Sequence, residues 1–523
     1  MCGTGAFSNQ TRPNRRAIRE LQRAHKGVPA MRSTHLFRPV VGLLWIIALA
    51  IQQAAAAIPP AAPGGAPAAE RQLSLPSTAW QGDFDAMLAR HELRVLVPYS
   101  RTLYFNDRGR EGGLTVELVR DFERYVNATY ADRLGSRPLT VYVIPTTRDR
   151  LLPNLNAGLG DIAAGSLTVT SERLKVVDFA APRNLTPVRE LVVTGPKSPA
   201  LATLDDMAGK TVHVRRSSSY YESLIALNAR LKARGKLPMK VVLLPDALED
   251  EDALEMLNVG LLQILIVDDY KAHLWAAILP NVRVHDDLTV RTGGEIGWAI
   301  RKNSPQLKAV LTDFYRNYVI RLDVVESRLQ QYMRRFTQIH DSSEADGLKR
   351  FALTLAIFRK YGKQYDFDPL MLAAQGYQES RLDQRMRSRM GAIGIMQILP
   401  ATGKQLNVGD IKVADANIHA GAKYMDQLMT QHFPDAHFSA DDRTLFAFAS
   451  YNAGPSNIAR MRTEAARRGL DPDKWFNNVE IVVAEKIGME TTIYVRNIYK
   501  YYVSYRLMAE AESERAGVER EVR

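Results

Sequence analysis

Between residues 93 and 269, short apolar runs alternate with amphipathic stretches. "LRVLVPYS" (93–100) and "LTVYVIP" (139–145) are rich in β-branched and apolar residues. Between them, "GLTVELVRDFERYVNATY" repeats its apolar positions every three to four residues, the period of a helix with one buried face. "GDIAAGSLTVT" (160–170), "KTVHVRRSSS" (210–219) and "LQILIVDD" (262–269) continue the strand series. Strands alternating with helices predict a parallel α/β sheet, and the alternation runs to about residue 320. From Leu322 onward the strand signal nearly vanishes. Helical spacing predicts helices over 344–362, 369–382, 416–431, 441–451, 456–468 and 490–508. The punctuation agrees: Asp368-Pro369, Ser439-Ala-Asp-Asp, Gly454-Pro455-Ser456 and Asp471-Pro472 carry helix starts and stops. Two folded domains follow, α/β over 79–320 and all-α over 345–510. A helical connector (321–344) joins them, and a charged tail (511–523) frays at the end.

The first 78 residues read differently. Residues 1–38 hold eight Arg or Lys against Glu20 alone, so they carry +7 of the chain's net +12. The remaining +5 suits an anionic polymer or headgroup surface without demanding one, and no nucleic-acid motif accompanies it. A basic stretch from Met31 to Arg38, an apolar run from Val40 to Ile51 and small residues at Ala54–Ala57 compose a secretory signal peptide. Met31 is then a candidate initiator. The rival is an uncleaved anchor, since Val40 to Ile58 is long enough to span a membrane; Gln52-Gln53 and the alanines favour cleavage. Either way the bulk of the chain is expected outside the cytoplasm. The tract 59–78, "PPAAPGGAPAAERQLSLPST", cannot build a core and serves as a linker. The single cysteine, Cys2, leaves no disulfide framework or cysteine-based metal site, and no HExxH pattern occurs. Neither metal nor cofactor is expected.

One polar cluster stands out in the all-α half. "AAQGYQESRLDQ" (373–384) follows the apolar run Leu370-Met371-Leu372, so Glu379 falls in the middle of a largely buried helix. Burying a carboxylate without a partner is costly. The cost has a chemical use, because burial raises a carboxyl pKa and keeps its proton available near neutral pH. Glu379 lines up with Leu372 and Gly376, and the small Gly376 would leave room for a sugar or a neighbouring helix. Glu379 is therefore the expected general acid. Asp383, four residues on, is the nearest second carboxylate, but its polar surroundings favour pairing with Arg381 or Arg387.

Four short stretches carry a family resemblance: Glu379-Ser380, Gly394-Ile395-Met396-Gln397, Ser450-Tyr451-Asn452-Ala453-Gly454, and Glu490-Thr491-Thr492-Ile493-Tyr494-Val495. In this order and spacing, residues 345–510 resemble the soluble-lytic-transglycosylase family with its goose-lysozyme-like fold. The resemblance implies a peptidoglycan lytic transglycosylase with a single catalytic carboxyl. Glu379 would protonate the N-acetylmuramic acid to N-acetylglucosamine bond, then take the C6 hydroxyl proton as a 1,6-anhydro ring closes. It further implies that Ser380 orients the glutamate or a sugar N-acetyl group. Gly394, Met396 and Gln397 would wall the groove, with Met396 at least half core. Tyr451 and Asn452 would face substrate, and Tyr494 would tune Glu379. Glu490 reads as a first-turn helix acid, and His432 and His437 as surface residues.

In the α/β half, "LPNLNAGLGDIAAGSLTVTSERLKVVDFAAP" (152–182), "GGLTVELVRDF", "LDDMAGKTVHVRRSSSYYESL" and "LNVGLLQILIVDDYKA" resemble the amino-acid-binding family of periplasmic solute-binding proteins, whose two lobes close on a small ligand. The resemblance implies Thr168 and Arg173 for a ligand carboxylate, the guanidinium offering a bidentate fork. It implies Ser218 and Ser219 for an anionic group, and Asp268 for an ammonium. Asp269 competes with Asp268 for that place, "VRRSSS" departs from the family's usual turn, and an Arg173–Asp178 pair would instead mark a scaffold without ligand. A solute-binding domain followed by a transglycosylase domain is an architecture of membrane-bound lytic transglycosylases. It implies regulation by an amino acid or muropeptide, with the Arg-rich segment 305–345 carrying the coupling. The partners expected are peptidoglycan glycan strands and a small effector, with peripheral membrane association in the periplasm, at the outer membrane, and no nucleic acid. A lysozyme-type hydrolase on the same fold and a non-catalytic cell-wall receptor are the competing functions.

Overall fold

Among the described residues of a computed structural model (79–180, 187–317 and 345–521), twelve strands follow one another along the chain. They are β1 (Glu92–Val97), β2 (Phe105–Asp107), β3 (Arg110–Gly112), β4 (Thr140–Pro145), β5 (Ile162–Thr168), β6 (Asp178–Ala180), β7 (Val188–Thr194), β8 (Thr211–Val214), β9 (Lys240–Leu243), β10 (Ile264–Asp268), β11 (Arg283–Gly294) and β12 (Ile296–Ile300). The expected leader, linker and connector lie outside the described residues. Among those described, no helix is long and apolar enough to cross a membrane.

Two sheets define two lobes. The first has the order β4-β1-β5-β12-β6 and the second β10-β7-β11, with β8 and β9 as a parallel pair. The expectation of a parallel sheet holds only in part. β1 runs parallel to β4 and β5, whereas β12 is antiparallel to β5 and β6, and β7 is antiparallel to both its neighbours. Central strands are apolar on both faces whichever way they run, so side-chain pattern does not encode direction. After the second lobe's β11, the chain crosses back through Glu295 and enters the first sheet from the opposite end.

The helical region is built on the glutamate helix, Pro369–Ser380. Asp368 caps it, its carboxylate accepting from Leu370 N at 2.7 Å, and Pro369 takes the first-turn place where no N–H is needed. Its apolar residues Met371, Leu372, Ala373, Ala374 and Tyr377 are all buried. The helix stops two residues short of the expected 382, because Arg381 (φ 55°) and Leu382 (φ 59°) both adopt left-handed backbone. The long C-terminal helix, Met489–Glu521, packs across it, with Tyr377 edge-on to Tyr501 at 4.8 Å between ring centres. That helix continues to Glu521, so the backbone of the charged tail is helical. Gly376 is needed at its place: a Cβ there would lie 2.9 Å from Ile395 and 3.1 Å from Phe358 and Leu382. The room beside it is taken by packing and not by a sugar.

Residues from Pro76 onward form one unit, and a buried ionic seam joins its α/β and helical parts. The bridging helix Asp250–Asn258 of the second lobe presents Asp252 and Glu255. Arg101 of the first lobe pairs with Glu255 at 2.9 Å and Asp252 at 3.2 Å. From the C-terminal helix, Arg496 reaches Asp252 at 3.2 Å and Glu480 at 2.5 Å, and Lys500 pairs with Glu255. Every one of these groups is buried.

Candidate active site

The end of the glutamate helix and the start of the C-terminal helix place Glu379 and Tyr494 together. The Tyr494 hydroxyl donates to Glu379 Oε1 at 2.5 Å. Glu379 is half-buried, and burial pushes its carboxyl up from the ordinary 4.5 to about 7, a rise that the Tyr494 hydrogen bond partly offsets. No charged neighbour contributes to the shift. A large share of the carboxyl therefore keeps its proton at neutral pH, and burial is the cause. Tyr451 lies within the field of Glu379, which together with burial keeps its phenol protonated; its hydroxyl donates to Met396 O at 2.6 Å.

The Gly394–Gln397 run is held from three sides. Asn417, fully buried, accepts from Met396 N at 2.8 Å and donates to Ile393 O and Ile411 O, both at 2.9 Å. Ser380 Oγ donates to Ile395 O at 2.9 Å and to Gly376 O at 3.1 Å. Ser380 is 3 % exposed and spends its hydroxyl on backbone, so it fastens the loop at Ile395 to the helix end and makes no contact with the glutamate. Gly394 has φ 78°, and a Cβ there would come within 2.6 Å of Asn417. Met396 is 0 % exposed and packs over Gly421, which makes its side chain core. Gln397 is half-buried, its amide donating to Gly394 O at 2.8 Å. Asn452 accepts from Thr491 Oγ1 at 2.8 Å, tying the end of its helix to the first turn of the C-terminal helix.

Asp383 is set apart from this chemistry. It pairs with Arg385, at 3.1 Å to Nε, and not with Arg381 or Arg387, and that contact holds its carboxyl below the usual range. The helical i+4 geometry behind the earlier expectation is lost once the helix ends at Ser380. Glu490 is exposed in the first turn of its helix, and His432 and His437 are exposed, as their spacing suggested. Among the described residues no cluster of acids, histidines or cysteines could hold a metal. Sequence patterns did not flag Asn417 or Gln375. Gln375, one turn before Glu379, is fully buried, and neither end of its carboxamide reaches hydrogen-bond geometry with a described residue. It lies close enough to Tyr494 to favour that phenol's ionised form.

A second candidate site lies between the lobes. Thr168, Arg173, Ser218, Ser219 and Asp268 line one pocket there, together with Arg148, Arg215, Tyr220, Asp250 and Lys271. Ser219 Oγ donates to Thr168 Oγ1 across the lobes at 3.2 Å, and Ser218 Oγ turns back to Arg215 O at 2.8 Å. Arg173 donates to Thr168 O (2.8 Å) and Ser217 O (3.2 Å) and makes no pair with Asp178, whose cation is Lys302 at 3.7 Å. Asp268 is the acid that faces the pocket, while Asp269 pairs with Arg189 at 3.3 Å. Arg148, Arg215, Asp250 and Lys271 were not singled out in the sequence, because their burial comes from partners far along the chain, Glu249 for both arginines and Asp250 for Lys271.

Residues 356–473 match the family model described as the transglycosylase SLT domain, and residues 95–319 match that of the bacterial extracellular solute-binding proteins, family 3. Membrane-bound lytic murein transglycosylase F of Ectopseudomonas mendocina (strain ymp) is 28% identical over 440 residues, 79% of this chain and 84% of that one. The protein of the same name from Desulfosudis oleivorans is 28% identical over 406 residues, 74% of this chain and 85% of its own. Among solved structures, a mutant of ArgBP from T. maritima is 22% identical, covering 47% of this chain and 98% of that one with a TM-score of 0.37. The chain thus carries a region matching the solute-binding proteins of family 3 followed by one matching the SLT domain, and over about three quarters of its length it is similar to proteins named membrane-bound lytic murein transglycosylase F.

Proposed function

We propose that the protein cleaves peptidoglycan without water, using Glu379 as both acid and base. The observation that carries this reading is a half-buried carboxyl raised to about 7 with no second carboxylate acting on it. Glu379 gives its proton to the oxygen of the β-1,4 bond between N-acetylmuramic acid and N-acetylglucosamine. As that bond breaks, the muramoyl N-acetyl group shields the positive C1. The Glu379 carboxylate then removes the proton from the C6 hydroxyl, and that oxygen closes on C1 to leave a 1,6-anhydro end. The Tyr494 hydroxyl stabilises the carboxylate between the two steps, because a hydrogen bond to the charged form favours it. Tyr451, Asn452, Gly394 and Gln397 border the groove. A hydrolase of lysozyme type would need a second carboxyl as nucleophile or to activate water, and Asp383 is committed to Arg385.

Mass analysis of the fragments released from purified sacculi tests the reading. Anhydro ends are one water lighter than hydrolysed ends; fragments of the heavier mass would establish a hydrolase. Release undiminished by Glu379→Gln would remove Glu379 as the acid, and wall binding without any fragment release by the unmodified protein would point to a non-catalytic wall receptor.

The cleft between the α/β lobes is read as an effector site, in which Arg173 and Thr168 receive a carboxylate. The bridging helix supplies its route to the groove. Asp250, at the helix start, lines the cleft; Asp252 and Glu255, farther along, hold the C-terminal helix that bears Tyr494. On this reading the bridging helix carries the coupling. The cell envelope is the expected location, with export by the leader and peripheral membrane association.

A further inference from the structure

Lys271 holds an unusual position in the cleft. It is 3 % exposed, and its ammonium meets Asp250 Oδ2 at 2.7 Å, Asp268 Oδ2 at 3.2 Å and the Tyr220 hydroxyl at 3.3 Å. Those three contacts use its three donors. Asp250 is saturated as well, because its other oxygen pairs with Arg215. A ligand ammonium thus finds its two natural acids already engaged by the protein's own cations, Asp250 by Lys271 and Arg215 and Asp268 by Lys271. What the cleft leaves open is of a different character. Asp268 Oδ1 is buried and has no partner among the described residues. Arg173 is bonded only to two backbone carbonyls, and burial holds its pKa below the ordinary value. Arg148 and Arg215, by contrast, are both matched by Glu249 at 2.8 Å.

Size points the same way. The inner pocket around Lys271 encloses about 10 Å³, room for at most one water. It shares Arg148 and Arg173 with an adjoining cavity of about 310 Å³, which Leu152, Pro153, Arg216 and Asp246 also line. A ligand body fits the outer cavity, and a small polar end fits the inner one.

We propose that Lys271 stands in for a ligand ammonium, so that the cleft takes an N-acylated amino acid or peptide C-terminus in preference to a free amino acid. The carboxylate goes to the Arg173 guanidinium, the amide N–H donates to Asp268 Oδ1, and the acyl portion lies in the outer cavity. The ligand carries one net negative charge, which Arg173 matches; a zwitterion would bring an ammonium to a site that already holds one. This rests on reading the cleft as a ligand site.

Calorimetric titration of the full chain with N-acetyl-alanine and with alanine, each as D and L forms, tests it. At least tenfold tighter binding of one N-acetylated form over both free amino acids is expected, with a tenfold or greater loss in Arg173→Met. Lys271→Met, which frees Asp250 and Asp268 for a ligand ammonium, is expected to narrow or reverse the preference. Tighter binding of alanine to the unmodified protein overturns the proposal while leaving a ligand site in place. An unchanged preference in a folded Lys271→Met also overturns it. Binding of neither compound removes the ligand-site reading itself. The comparison in the unmodified protein decides even where Lys271→Met does not fold.

Discussion

Glu379 titrates as it does because the fold removes water from one carboxyl and offers it a single phenol in return. Its folded-state pKa, about 7, lies above the ordinary 4.5, so the fold favours the protonated form. That contribution to stability is fully present below pH 4.5 and is lost as pH rises through 7. Glu379→Gln, which cannot ionise, is accordingly expected to gain on the wild type by up to about 3 kcal/mol at pH 9, measured by denaturant unfolding across pH. The same substitution should slow cleavage of sacculi by roughly 100- to 10,000-fold, the range for loss of a general acid. Tyr494→Phe removes the hydrogen bond that holds Glu379 down, so the alkaline limb of kcat/KM against pH should move upward. A limb that stayed in place or moved to lower pH would show that Tyr494 does not act on the carboxyl. Glu379 and Tyr494 were both legible in the chain, because each sits inside a short local pattern. Gln375 and Lys271 were not, since what makes each notable is its surroundings, contributed by residues far away in sequence.

Elements were easier to place than their ends and directions. The helices bearing Glu379, Tyr451 and Tyr494 follow apolar periodicity and caps, both local signals. The two left-handed residues after Ser380 are not local in that sense, and they redirect Asp383 to Arg385. The antiparallel course of β12 was likewise hidden, because strand direction depends on where the chain crosses between lobes. The loop around Met396 is held by Asn417, which anchors Ile393 O and Met396 N and ties them to Ile411 O of the next connection. Asn417→Ala leaves the Met396 N–H without its partner in a buried place, at about 1–3 kcal/mol, while Ile393 O keeps Ile398 N and Ile411 O keeps the Gln384 amide. A clear drop in the unfolding midpoint is expected, together with a larger rise in KM than fall in Tm alone explains. Retention of wild-type KM would mean that the loop is held without it.

Across the whole molecule, the seam of Arg101, Asp252, Glu255, Arg496 and Lys500 makes the α/β and helical parts one mechanical body. Removing one acid strands buried cations, an effect of roughly 3–5 kcal/mol. Asp252→Asn should thus destabilise the protein strongly, whereas Glu172→Gln, which breaks the exposed pair with Lys175, should change little. Equal effects in the two variants would contradict the buried seam. Nothing in the periodicity of "EDEDALEMLN" announced this role, since an acidic first turn looks the same whether it faces water or an arginine. In the proposed reading the seam relays ligand binding in the inter-lobe cleft to the C-terminal helix, so turnover of sacculi is expected to change with saturating cell-wall peptide, and constant turnover would contradict that coupling. The central claim is narrower: one carboxyl performs both proton transfers and no water enters the product. Digesting sacculi in isotopically labelled water tests it most directly. The account predicts 1,6-anhydro muramic acid ends that carry no label; label incorporated at C1 of the muramic acid residue would contradict it.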